Sequence, residues 1–276
     1  MGEQRGHDPG MDFAQMMALE PHGPDTFVGV GPSYPWGGLY GGQIVAQALR
    51  AASLTVGDAD YRVHSLHAYF IRLGDASQPI RFEVDRVRDG RNFCTRRVIA
   101  RQSGGAILTL ASSYQTREDA PDVQTAALRP IPQPDTLPSE TWSPVFDRRF
   151  VPSGDVPGRA TGWLRMSGAV GDDPALQACA LAYQSDDMPT DAVVGLHPDR
   201  PVERNLEEYP FFSASLDHAI WFHRDLAADD WHVYDFQCHG LLSSRGLALG
   251  HLFTTDGEHV ATVTQEVLLR NARRRP

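Results

Sequence analysis

Two features of this chain recur at nearly the same distance. His67-Ala68 and His218-Ala219 lie 151 residues apart, and the turn glycines Gly105 and Gly257 lie 152 apart. A shared offset predicts one structural unit used twice, which restricts the chain to folds assembled from two similar halves. In the first half, Ile44, Val45, Ala48, Leu49 and Ala52 follow helical spacing behind Gly41-Gly42. Strand patterns then cover 64–72, 80–88, 92–102 and 106–115, with turn signals at Asp89-Gly90 and Ser103-Gly104-Gly105. In the second half, Asp172-Asp173-Pro174 opens a helix over 175–183. Strands follow over 215–224, 231–237, 245–254 and 259–270, and 187–209 reads as an inserted loop. One helix followed by four turn-linked strands, twice over, is an α+β fold with mostly antiparallel sheets.

The units are expected at 11–116 and 161–276. Residues 1–10 read as a flexible N-terminal tail, and 117–160, rich in proline, as a connector. A net charge of −10 argues against a nucleic-acid binder. The absence of an eighteen-residue apolar run, or of an apolar leader, predicts no membrane span and a cytoplasmic protein. Cys94, Cys179 and Cys238 form no CxxC pair, so reduced thiols are expected. Every one of the 25 basic residues is Arg. Schiff-base chemistry through Lys and a GK[ST] phosphate loop are therefore excluded. No metal-ligand spacing is present, and no metal or cofactor is expected.

The candidate site residues are polar groups embedded in apolar strands. Asp217 lies between apolar neighbours, where a carboxylate is costly unless it is paired or put to use. Gln265 shares a strand face with Val263 and Val267. His67 fits either a satisfied core histidine or a substrate contact. The glycines at the start of the first helix, Gly41 and Gly42, leave backbone N–H groups open to an anion or a polarised carbonyl, or simply permit close packing. A buried Asp with a buried Gln can hold and deprotonate a water without a covalent nucleophile or a metal.

The chain resembles the acyl-CoA thioesterase II family. The resemblance rests on Tyr40-Gly41-Gly42-Gln43 through Leu49, His64-Ser65-Leu66-His67 through Asp75, Arg86 through Gly90, Leu216-Asp217-His218 through Arg224, Ser244-Arg245-Gly246, and Val263-Thr264-Gln265-Glu266. It implies a double hotdog: two helix-wrapped antiparallel sheets joined edge to edge. It also implies hydrolysis of fatty acyl-CoA to fatty acid and CoA, with CoA as part of the substrate rather than a cofactor, and a homo-oligomer. Carried over to this chain, it puts the acid at Asp217, the amide at Gln265, and His239 in a slot usually held by Thr. Gly41, Gly42 and His67 are the expected substrate-binding positions. A non-catalytic acyl-CoA binder and a hotdog enoyl-CoA hydratase are the competing readings.

Overall fold

The computed structural model of the protein describes residues 11–57, 60–152, 156–200 and 210–272. The expected tail at 1–10 lies outside the described residues. The first unit contains a short helix α1 (Phe13–Met17), strands β1 (Glu20–Pro21) and β2 (Thr26–Gly29), the long helix α2 (Gly41–Ser53), and strands β3 (Tyr61–Phe70), β4 (Ile80–Asp89), β5 (Phe93–Gln102) and β6 (Gly105–Thr116). The second contains β7 (Phe146–Val151), β8 (Arg159–Met166), helices α3 (Pro174–Ser185) and α4 (Pro189–Leu196), and strands β9 (Phe211–Ser215), β10 (Asp217–Phe222), β11 (His232–Leu242), β12 (Arg245–Thr254) and β13 (His259–Asn271).

All the strands join one antiparallel sheet in the order β1-β2-β4-β5-β6-β3-β10-β13-β12-β11-β8-β7, with β9 also on β13. The order reads the same from either end outward from the β3–β10 seam. Asp217 sits opposite Tyr69 there, Ala219 opposite His67 and Trp221 opposite Ser65. The two halves are thus joined edge to edge, which removes the open edge each would otherwise expose.

α2 and α3 lie together on the inner face and run antiparallel, since Arg50 near the end of α2 reaches Asp173 at the start of α3 (3.4 Å) while Gly42 meets Asp186 at the other end. Small residues permit the approach. Ala46, Ala48, Ala51 and Ala52 on α2 and Ala180 and Ala182 on α3 are fully buried. A Cβ on Gly42 would lie 2.2 Å from the Tyr183 carbonyl, so only glycine allows that contact. Gly42→Ala is expected to destabilise the fold by about 1–3 kcal/mol through overpacking, measured as a shift in the urea midpoint at unchanged m. A wild-type midpoint would sink this account of the helix contact.

Three expectations need correction. The stretch 117–160 is not all connector, because β7 lies inside it and pairs along β8. The stretch 187–209 is not all loop, because α4 packs against the second sheet. Gly246, where a Cβ would meet Val193 at 2.6 Å, lets it lie close. The His67/His218 alignment is one residue out. His218 is fully buried, whereas His67 is exposed and packs edge-on against Trp221 at 5.2 Å. A one-residue slip in a strand exchanges its two faces, and the glycine offset of 152 makes Leu66 the counterpart of His218.

Candidate active site

Tyr40, at the N-cap of α2, offers no side-chain acceptor to the first turn. The N–H groups of that turn lack helical partners. That of Gly42 is taken by Asp186 Oδ2 at 2.9 Å, a carboxylate contributed by the C-cap of α3 in the other half. Asp186 therefore caps a helix across the seam between the repeats. Its second oxygen accepts from Ser215 Oγ at 3.1 Å. Ser215 in turn accepts from Gln265 Nε2 at 2.8 Å, and Gln265 Oε1 faces His218 Nδ1 at 2.5 Å. His218 Nε2 lies 2.8 Å from Ser185 Oγ.

The donor directions are determined by chemistry. An amide oxygen only accepts, so His218 Nδ1 carries the proton; Nε2 of the neutral ring accepts from Ser185 Oγ at 2.8 Å, whose single proton is shared with the Ala182 carbonyl at 3.0 Å. Gln265 then donates to Ser215, Ser215 donates to Asp186, and Asp186 as a carboxylate ends the chain. Every link is satisfied, which a buried polar network needs. Burial is the largest influence on Asp186 and pushes its pKa up to about 7. Hydrogen bonds from Gln265, Ser215 and the Gly42 amide oppose the rise, and the neighbouring Asp187 adds to it. Burial pulls His218 down to about 4, with Gln265 opposing, so the imidazole is neutral at pH 7. A carboxyl that changes charge near neutrality, held against a hydroxyl and an amide, suits a general base acting on water.

The residues expected from sequence are only partly brought together. Gln265 is fully buried and in the cluster, and Gly42 meets Asp186. A Cβ at Gly41 would lie 2.6 Å from Asp186 Oδ2. Asp217 is not in the cluster. His218 and Ile220 fill the inner face of β10, which leaves Asp217 half-buried on the outer face, where it accepts from the Glu266 backbone at 2.7 Å. Burial and the neighbouring Glu266 raise the Asp217 pKa, against the Glu266 amide and His67. His239 is exposed, in the irregular stretch of β11 between Cys238 and Leu241. Three strand spacings separate β11 from β10, or ~14 Å. The water site expected between Asp217, Gln265 and His239 is thus not formed. His67 lies on the outer face with Asp217, away from the cluster.

Asp186 and Ser215 escaped the sequence reading. Neither breaks an apolar strand pattern, and Asp186 stands beside Asp187 just past the end of α3. The signal that locates them is pseudo-symmetry: two antiparallel helices bring the end of one to the start of the other. At the opposite end the same positions are inert. Leu54 is the C-cap of α2 as Asp186 is of α3, and Leu66 replaces His218. Ser112, opposite Leu66 in the ladder, replaces Gln265. Among the described residues the cluster forms once per chain, and no group of three or more His, Cys, Asp or Glu is placed to hold a metal ion.

Comparison with known proteins agrees with this architecture. Residues 31–116 match the family model for the acyl-CoA thioesterase N-terminal domain, and residues 124–269 that for the C-terminal domain. Acyl-CoA thioesterase 2 of Haemophilus influenzae is 32% identical over 84% of this chain and 87% of its own length. Human acyl-coenzyme A thioesterase 8 is 31% identical over 96% of this chain and 92% of its own. The crystal structure of an acyl-CoA thioesterase II from Mycobacterium marinum superposes with a TM-score of 0.81 at 35% identity, covering 96% of this chain and 99% of that one. Two hotdog units joined at one seam, each matching its own half of the family, identify the chain as a member of the acyl-CoA thioesterase II family.

Proposed function

We propose that the protein hydrolyses fatty acyl-CoA thioesters to free acid and CoA, using water activated by Asp186 with Ser215 and Gln265. The observation that carries this reading is a buried carboxyl linked through Ser215 to Gln265 and set against the N-terminus of α2, where burial pushes its pKa up to about 7. Asp186 accepts the proton of the water as its oxygen attacks the thioester carbonyl. Ser215 and Gln265 hold the water and fix its direction. The carbonyl oxygen, as it gains charge, meets the positive end of α2 at the Gly41 N–H, since that of Gly42 is held by Asp186. The tetrahedral intermediate then collapses, the C–S bond breaks, and the proton held by Asp186 passes to the sulfur, so that CoA leaves as the thiol and Asp186 is again a carboxylate.

Gly41→Ala tests the approach to Asp186. The added methyl would press on Asp186 Oδ2 at 2.6 Å and on the Phe70 ring at 3.0 Å. The expected result is a fall in kcat of about ten-fold or more with the fold retained by circular dichroism. Wild-type turnover in that variant would show that the carboxylate is not held where hydrolysis needs it.

The direct test of function is release of free thiol from a panel of acyl-CoAs. A hydrolase liberates CoA in proportion to acid formed, whereas binding without thiol release would identify a binder. A cytoplasmic homo-oligomer belongs to the same reading. Tyr69, Trp221 and Leu247, exposed near the seam on the outer face, support self-association, and light scattering of the purified chain would test it.

A further inference from the structure

Ser215 and His218 are three residues apart in one extended segment, yet both face inward. Ser215 reaches Asp186 and His218 reaches Ser185. In a regular strand, residues at odd spacing point to opposite faces. The segment achieves this with one extra residue. Between the pairs Ser215–Val267 and Ala219–Thr264, residues 216–218 stand opposite only 265–266. This is a β-bulge, which re-aims a side chain at the cost of a disturbed ladder.

The backbone at the bulge is fully occupied. Leu216 donates its N–H to Glu266 O at 2.9 Å and accepts from Phe70 N–H at 3.0 Å. The Glu266 N–H is taken by a side chain instead, Asp217 Oδ1 at 2.7 Å. That clip joins the residue after the bulge to the residue after Gln265. Losing it would leave a ladder amide unsatisfied and free the segment to slip by one residue, which would turn Ser215 away from Asp186.

We propose that Asp217 is a positioning residue for hydrolysis: its side chain clips the bulge at Leu216 to β13 and so keeps Ser215 turned toward Asp186. The proposal rests on the reading of Asp186, Ser215 and Gln265 as the water-activating group. Asp217 works from the opposite face of the sheet, as a hydrogen-bond acceptor, and its charge has no role in the reaction.

The test compares wild type, Asp217→Asn, Asp217→Ala and Asp186→Asn on one hydrolysed acyl-CoA. An amide oxygen can replace the carboxylate as acceptor, so Asp217→Asn is expected to stay within about three-fold of wild-type kcat. Asp217→Ala is expected to lose about ten-fold or more in kcat, the scale of one hydrogen bond, with KM unchanged. The acid limb of the pH profile should stay in place in both. Hydrogen exchange at the Glu266 amide should be fast in Asp217→Ala and slow in Asp217→Asn. A collapse of Asp217→Asn to the level of Asp186→Asn would overturn the proposal, because the charge would then matter. Wild-type kcat in Asp217→Ala would overturn it as well. Should Asp217→Ala not fold, Asp217→Asn still decides by its rate and its Glu266 exchange. Failure of the underlying reading would appear separately, as an active Asp186→Asn.

Discussion

Asp186→Asn is expected to lower kcat for acyl-CoA hydrolysis by about 10²–10⁴-fold, the usual contribution of a general base, while the protein stays folded. An amide of the same shape still accepts one hydrogen bond, but it cannot take a proton from water. In the wild type, kcat should fall as pH drops through about 7, because the base must be ionised and burial holds its pKa there. The variant's residual activity should lack that limb. Stability gives an independent check. A carboxyl raised from 3.8 to about 7 on folding binds its proton more tightly in the native state. Its contribution is therefore complete below pH 3.8 and is lost as pH rises to about 7. The asparagine variant does not titrate, so its stability should improve relative to wild type across that window, by up to ~4 kcal/mol. Urea unfolding at pH 4 and pH 8 measures the difference. Equal differences at the two pH values, or an active variant, would remove Asp186 from the mechanism.

The architecture was legible because it is written in local patterns. Glycine turns, strand alternation and a small-residue helix each leave a signature, and their repetition identifies the duplicated fold. Gln265 was legible for the same reason, as a polar residue facing inward among valines. The acid was not. Asp217 breaks an apolar pattern and is conspicuous for it, but regular alternation does not hold through 215–218. The bulge at Leu216 changes which residues face inward, and a bulge of one residue has no reliable signal in a single sequence. Ser215 therefore went unnoticed, and the His67/His218 alignment fell one residue out. Asp186 depends on something still less local. It becomes a site only because the end of α3 meets the start of α2 across the seam, a contact between groups 144 residues apart. The resemblance puts His239 in the Thr slot, but a position along β11 does not tell that β13 and β12 lie between it and β10.

Arg148→Met is expected to cost about 3–5 kcal/mol of stability, the scale for breaking a buried ion pair from one side. Arg148 Nη1 contacts both oxygens of Asp187, at 2.8 and 2.9 Å, and the Asp187 side chain is only 2% exposed. Trp142 Nε1 donates to the same carboxylate at 2.6 Å. Methionine fills similar space but leaves Asp187 a buried, uncompensated charge. Adding Asp187→Asn should recover much of the loss, since a neutral amide still accepts from Trp142 and no longer needs the cation. The pair also bears on the site. Asp187 already helps to raise the pKa of Asp186, and Arg148 offsets that charge from the other side. Without Arg148 the acid limb of the pH–rate profile should move to higher pH, and with Asp187→Asn added it should return. Denaturation at fixed pH reads the first effect and kcat against pH the second. An unmoved limb in a folded Arg148→Met variant would mean that the Asp187 charge does not reach Asp186, and unchanged stability would mean that the ion pair is not a structural requirement of this half.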